Sequence, residues 1–187
     1  MGWRRTAGAI ALVAGFAAPA QAQQEGAWDS WYTVADAASH NNTQQVAALL
    51  QTGDRDPDAR ESTTGRTALD YAASFDNVAM AQLLLDHNAH VDWTDKLGNT
   101  ALHYAAELGK LDFMRFLIAK QANVDAPNRQ GITPLMAAAG QGKPAAVRLL
   151  IASGADPRKQ DFTGRDAFGW SAGSPAVQQI LAAKPQS

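Results

Sequence analysis

The sequence predicts an all-α fold made of about five copies of one helix–turn–helix unit, and three observations predict it. Glycines stand at Gly65, Gly98, Gly131 and Gly164, separated by equal steps along the chain. Two positions further on comes a residue able to cap a helix: Thr67, Thr100, Thr133 and Asp166. Small pairs keep the same step at Ala72-Ala73, Ala105-Ala106, Ala138-Ala139 and Ser171-Ala172, as do apolar pairs at Leu83-Leu84, Phe116-Leu117 and Leu149-Leu150. So many registers held at one period mark a repeat array, in which each unit buries its apolar side against its neighbours.

Taken in chain order, residues 1–22 stand apart from the array. Arg4 and Arg5 form a short positive region, residues 7–18 are an apolar run ended by Pro19, and Ala20-Gln21-Ala22 supplies small residues for a signal peptidase. This is the layout of a cleavable secretory signal, with cleavage expected after Ala22. The run is too short for a membrane span, which needs roughly 20 apolar residues. The chain has no cysteine, so disulfides, thiolate metal sites and a lipidated-cysteine anchor are excluded. Without Arg4 and Arg5 the mature chain carries 14 basic residues against 18 acidic, a net charge of −4. No basic stripe of the kind nucleic-acid binding requires is present. The expectation is a monomer with no membrane anchor, periplasmic or secreted.

A short tail (23–28) leads into the array, expected over 29–184, with units at about 29–60, 63–95, 96–128, 129–161 and 162–184. In each inner unit the Thr caps a first helix, and Pro134 fits the first helical position, where its missing N–H costs nothing. Asp166 keeps the capping chemistry in the last unit. The paired alanines let first helices approach closely. Gly109 and Gly142, with Asp76 in the earlier unit, lie between the helices of their units, where a left-handed residue reverses the chain. Second helices carry apolar residues at spacings of three and four, such as Met80, Leu83, Leu84 and Phe113, Phe116, Leu117. The first unit lacks the Thr-x-Leu opening but has Ala37-Ala38 and Leu49-Leu50; the last is slightly short between its helices, with Ser174-Pro175 opening its final helix. Atypical end units suit a solenoid whose ends face water. Trp28, Trp31 and Tyr32 are expected to cover the exposed end of the first pair.

The segment Gly98 to Asp125, GNTALHYAAELGKLDFMRFLIAKQANVD, resembles the ankyrin repeat. The match covers residues 63–161 strongly and the flanking units more loosely. The resemblance implies stacked helix pairs with outward hairpin loops and a curved solenoid that binds proteins without catalysis. It also implies that His103 ties loop backbone together, while Asp70, Met136 and Gly169 depart from the pattern at the same place.

Catalytic and metal chemistry find little support. No phosphate loop, nucleophile elbow or His-Glu-x-x-His pattern occurs. His87, His90 and Asp92 suggest a metal set, but imidazoles beside a helix C-terminus are favourable without metal. Asp54, Asp56 and Asp58 resemble the start of a calcium loop whose later glycine and glutamate are replaced by Ala59 and Gly65, and are expected to form a solvated linker. No cofactor is expected.

The resemblance maps a partner-binding surface onto loop tips and the exposed ends of first helices. At the tips these are Arg66, Lys96, Leu97, Asn99, Arg129, Gln130, Ile132, Phe162 and Arg165, and on the first helices Phe75, Glu107, Leu108 and Gln141. Trp93 joins them from the loop leading to Leu97. Apolar anchors ringed by cations and amides are the composition of a protein contact. The expected partner is a protein of unknown identity; a host-directed effector or neutralising factor, and more remotely a metal-dependent enzyme, are the rival readings.

Overall fold

The computed structural model describes residues 33–53 and 55–183. The signal-like run, the tail, the Trp28–Trp31–Tyr32 cluster and Asp54 lie outside the described residues. Among the described residues ten helices follow one another: α1 (Val34–Ser39), α2 (Thr43–Gln51), α3 (Ala68–Phe75), α4 (Val78–Asp86), α5 (Ala101–Leu108), α6 (Leu111–Ala119), α7 (Pro134–Gly140), α8 (Pro144–Ala152), α9 (Ala167–Trp170) and α10 (Pro175–Ala182). They form five helix pairs, and no strand occurs among the described residues. The fold is the all-α solenoid expected.

Local chemistry sets the helix ends. Thr33 and Thr67 accept from the backbone N–H three residues on, and Asp36 and Asp70 return a carboxylate to the cap's own N–H, at 2.7 and 2.8 Å. In α5 the returning group is His103, whose Nδ1 accepts from Thr100 N at 3.1 Å. Asp166 caps α9 through Gly169 N at 2.8 Å. Asp76, Gly109 and Gly142 have φ of 60°, 73° and 61° between their helices, as the sequence requires.

Two rows result. The odd helices pack one on the next, α1 on α3 and so through α9, and the even helices form a second row behind them. Ala72, Ala73, Ala105, Ala106, Ala138 and Ala139 are fully or almost fully buried in the first row. Their small size permits close approach. The larger Met80, Leu84, Phe113, Met114, Leu117, Val147 and Leu150 fill the space between the rows and hold the even helices further apart. The odd helices, with the loop tips beside them, are therefore the more closely packed, inner row, and the even helices are the outer one.

The loops are tied across units by carboxylates. Asp58 accepts from His90 N, Asp92 from Asn123 N and Asp125 from Asp156 N, at 3.0, 3.0 and 3.1 Å. Asp58, expected in a solvated linker, is instead only 8% exposed. Burial is tolerated because its carboxylate receives both the backbone and the imidazole of His90, the latter at 2.5 Å.

Candidate functional site

Each loop tip is closed by a polar side chain at its base. Asp95 Oδ1 accepts from Leu97 N and Asn99 N, Asn128 Oδ1 from Gln130 N and Ile132 N, and Asp161 Oδ1 from Thr163 N and Arg165 N, all at 2.8–3.0 Å. In the first tip Glu61 takes this role toward Thr63 and Thr64, and the Thr64 bonds chiefly draw its pKa down to about 2. Hydrogen bonds, first of all from Thr163, likewise hold Asp161 below the usual carboxylate range. Neighbouring tips are stitched by single backbone bonds: Lys96 N to Thr64 O, Arg129 N to Leu97 O and Phe162 N to Gln130 O, at 3.0–3.1 Å. The tips are thus fixed relative to one another before anything binds.

Those turns leave Leu97 and Phe162 65% and 79% exposed. Phe75 and Leu108, at equivalent positions on α3 and α5, are also exposed, as are Arg129, Gln130, Glu107 and Gln141. Gln141 donates to Glu107 at 3.1 Å, and Asn128 donates through Nδ2 to the Asn99 amide at 2.9 Å. Lys96 turns its ammonium back onto the Ser62 and Thr63 carbonyls, joining two tips.

Four sequence-predicted positions differ from a free tip side chain. Arg66 is half-buried: its guanidinium lies 4.3 Å from the centre of the Tyr71 ring and 4.0 Å from that of Tyr104, and it donates to the Asp70 carbonyl and the Ser74 hydroxyl. Stacking between two rings draws it inward. Ile132 is half-buried as well, because its carbonyl receives His103 Nε2 at 3.0 Å and holds that tip against α5. Trp93 is 41% exposed but engaged by Arg60 and His90, each 5.2 Å from its ring, and lines neither inner groove. Arg165 lies 4.2 Å over the Trp170 ring and 3.4 Å from Asp161. The imidazoles weighed as metal ligands go to separate partners, His87 Nδ1 to the Leu83 carbonyl and His90 Nδ1 to Asp58.

Two open grooves lie on the inner side. One runs along the last tips, between Arg129, Phe162 and Arg165; the other lies over α7, between Asn99, Glu107 and Trp170. They share Ile132 and Trp170.

Residues 34–85 match the family profile of ankyrin repeats in many copies, and residues 87–161 that of ankyrin repeats in three copies. The chain belongs to the ankyrin-repeat family. No curated protein matches it. Ankyrin repeats are protein–protein interaction modules, and this array carries the parts of one. Sequence reasoning missed Trp170, which walls both grooves and donates from its indole N–H to Asp161 at 2.9 Å. Its signal was available, since Tyr71, Tyr104 and Trp170 stand at the same place within their repeats. The turn-closing Asp95, Asn128 and Asp161 were equally legible: an Asp or Asn three positions before the tip glycine is the signature of a type I turn.

Proposed function

We propose that the array binds a protein partner through its loop tips and inner helix face, and that it does so after export, with the segment ending at Ala22 removed. The binding surface rests above all on one observation: Leu97 and Phe162 are held in the open on tips whose backbones are fixed at both base and side. Large apolar side chains at rigid positions lose little entropy on contact, so much of their burial energy goes into affinity. Support for export is the Arg4-Arg5 start, the apolar run and the Ala20-Gln21-Ala22 site.

The test uses the processed chain as bait in fractionated extracts of its own cells. A partner retained by the wild type should be lost from the variant carrying Leu97→Ser and Phe162→Ser, while both proteins melt alike. Retention by both would place binding elsewhere on the molecule. N-terminal sequencing of the protein recovered outside the cytoplasm should begin at Gln23; recovery of the intact N-terminus from the cytoplasm would refute export.

A further inference from the structure

Tyr71, Tyr104, Ala137 and Trp170 occupy one register on α3, α5, α7 and α9, each a single repeat beyond the one before. Three rungs of this ladder are aromatic, and each lies under a guanidinium, Arg66 for the tyrosines and Arg165 for the tryptophan. The rung on α7 is missing. Where its ring would stand there is Ala137, where Arg66 and Arg165 have their counterpart there is Ile132, and one turn on, in register with Glu107, there is Gly140. The result is a recess of about 260 Å³ over α7, walled by Ile132 and Trp170, with the Asn99–Asn128 amides along one side and Glu107 at its edge. It shares Ile132 and Trp170 with the groove that leads to Arg129.

We propose that this recess takes one aromatic side chain of a partner protein, while a carboxylate from the same partner segment pairs with Arg129. This rests on the protein-binding reading above and names what the partner presents. A ring suits the space because the ladder has aromatic rungs before and after it, and Trp170 offers an edge for ring packing. In the folded array Trp170 donates to Asp161, and the Ile132 carbonyl receives His103, which places the two walls. The charge pattern decides between an acidic and a basic neighbour. Arg165 is matched by Asp161, whereas Arg129 is exposed and forms no ion pair among the described residues. At the other edge Glu107 already accepts from Gln141. Within the groove along the last tips the unmatched charge is that of Arg129, and it asks for an acid.

The experiment pans a phage-displayed library of random dodecapeptides on the full-length protein. Enriched peptides should share a Phe, Tyr or Trp with a nearby Asp or Glu. Replacing that aromatic by Leu in the synthetic peptide should weaken binding about tenfold or more, the cost of losing a buried aromatic anchor. Ala137→Tyr, which supplies the missing rung from within the chain, and Arg129→Glu should each weaken it comparably, with circular dichroism confirming that both variants are folded. Peptides without an aromatic, peptides rich in Lys and Arg, indifference to the Leu replacement, or no enrichment would each overturn the inference. Peptides that tolerate Ala137→Tyr but are lost on Leu97→Ser with Phe162→Ser would dispose of the recess and leave tip binding standing.

Discussion

In the third unit the side chain that closes the cap of the inner helix is His103, which accepts from Thr100 N and reaches on to the Ile132 carbonyl of the next tip. An N–H donor facing one nitrogen and a carbonyl facing the other require neutral imidazole with the proton on Nε2, and burial, which depresses its pKa, favours that form. In the second unit the same position is Asp70, fully buried, with Oδ2 on Thr67 N and Oδ1 without a partner. Desolvation dominates and lifts its pKa from 3.8 to about 7; Asp95 adds to the rise, while the Thr67 bonds and Arg66 oppose it. The folded chain then holds a proton that the unfolded chain releases near pH 4. The stability contributed by Asp70 falls as pH rises from about 4 to about 7 and is flat above. Asp70→Asn keeps an acceptor for Thr67 and adds a donor, so it should stabilise the array at pH 8 by about 1–3 kcal/mol and remove this slope. Urea midpoints at pH 5 and 8 for both proteins check it; parallel pH profiles would refute it. The caps themselves were legible because they depend on residues three apart. The inward turn of Arg66 was not, since Tyr104, one of the two rings that hold it, belongs to the next unit.

At the scale of the loop, the repeating glycines have two reasons to be glycine, and the structure separates them. Gly98 and Gly164 share a left-handed backbone, φ 82° and 81°. A Cβ on Gly98 would stand 2.7 Å from Arg129 N, the amide that donates to Leu97, whereas one on Gly164 meets nothing within 4 Å. Gly164→Ala should therefore cost only the backbone strain, about 1–2 kcal/mol. Gly98→Ala should cost about 1–3 kcal/mol more, because the clash is with backbone that cannot rotate away. Denaturant unfolding of the two variants decides; equal losses would mean the tips do not depend on their stitching. The sequence made the need for glycine plain at all four tips. It carried no mark of which tips lie under a neighbour, because that follows from the stacking of units and not from the loop's own letters. The last helix pair shows the same limit. Its shortness was legible, yet the one-turn α9, and with it the placing of Trp170 against Gly140, depends on packing across units.

At the scale of the whole array, each unit is stabilised by those on either side, so stability should be distributed along the chain and not uniform. The inner units bury large side chains on both rows: Leu102, Phe113, Met114 and Leu117 in the third, Leu135, Met136, Val147 and Leu150 in the fourth. The fifth buries Ala167, Ser171 and Val177 and little else, and its first helix is one turn long. With few buried contacts and an outer side that the described residues leave to water, α9 and α10 should open without the rest. Native-state amide exchange should then show protection highest in α5 to α8 and at least tenfold lower in α9 and α10, the difference shrinking as denaturant approaches the global transition. This gradient bears on binding, because Trp170 and Arg165, which wall the inner grooves, sit on the unit that opens most easily. A partner gripping both the fourth and fifth units must close that fraying end, so its binding should raise protection in α9 and α10 more than in α5. Equal protection along the whole array, with or without a partner, would show that the five units fold as one block and that the last pair is not the adjustable part of the surface.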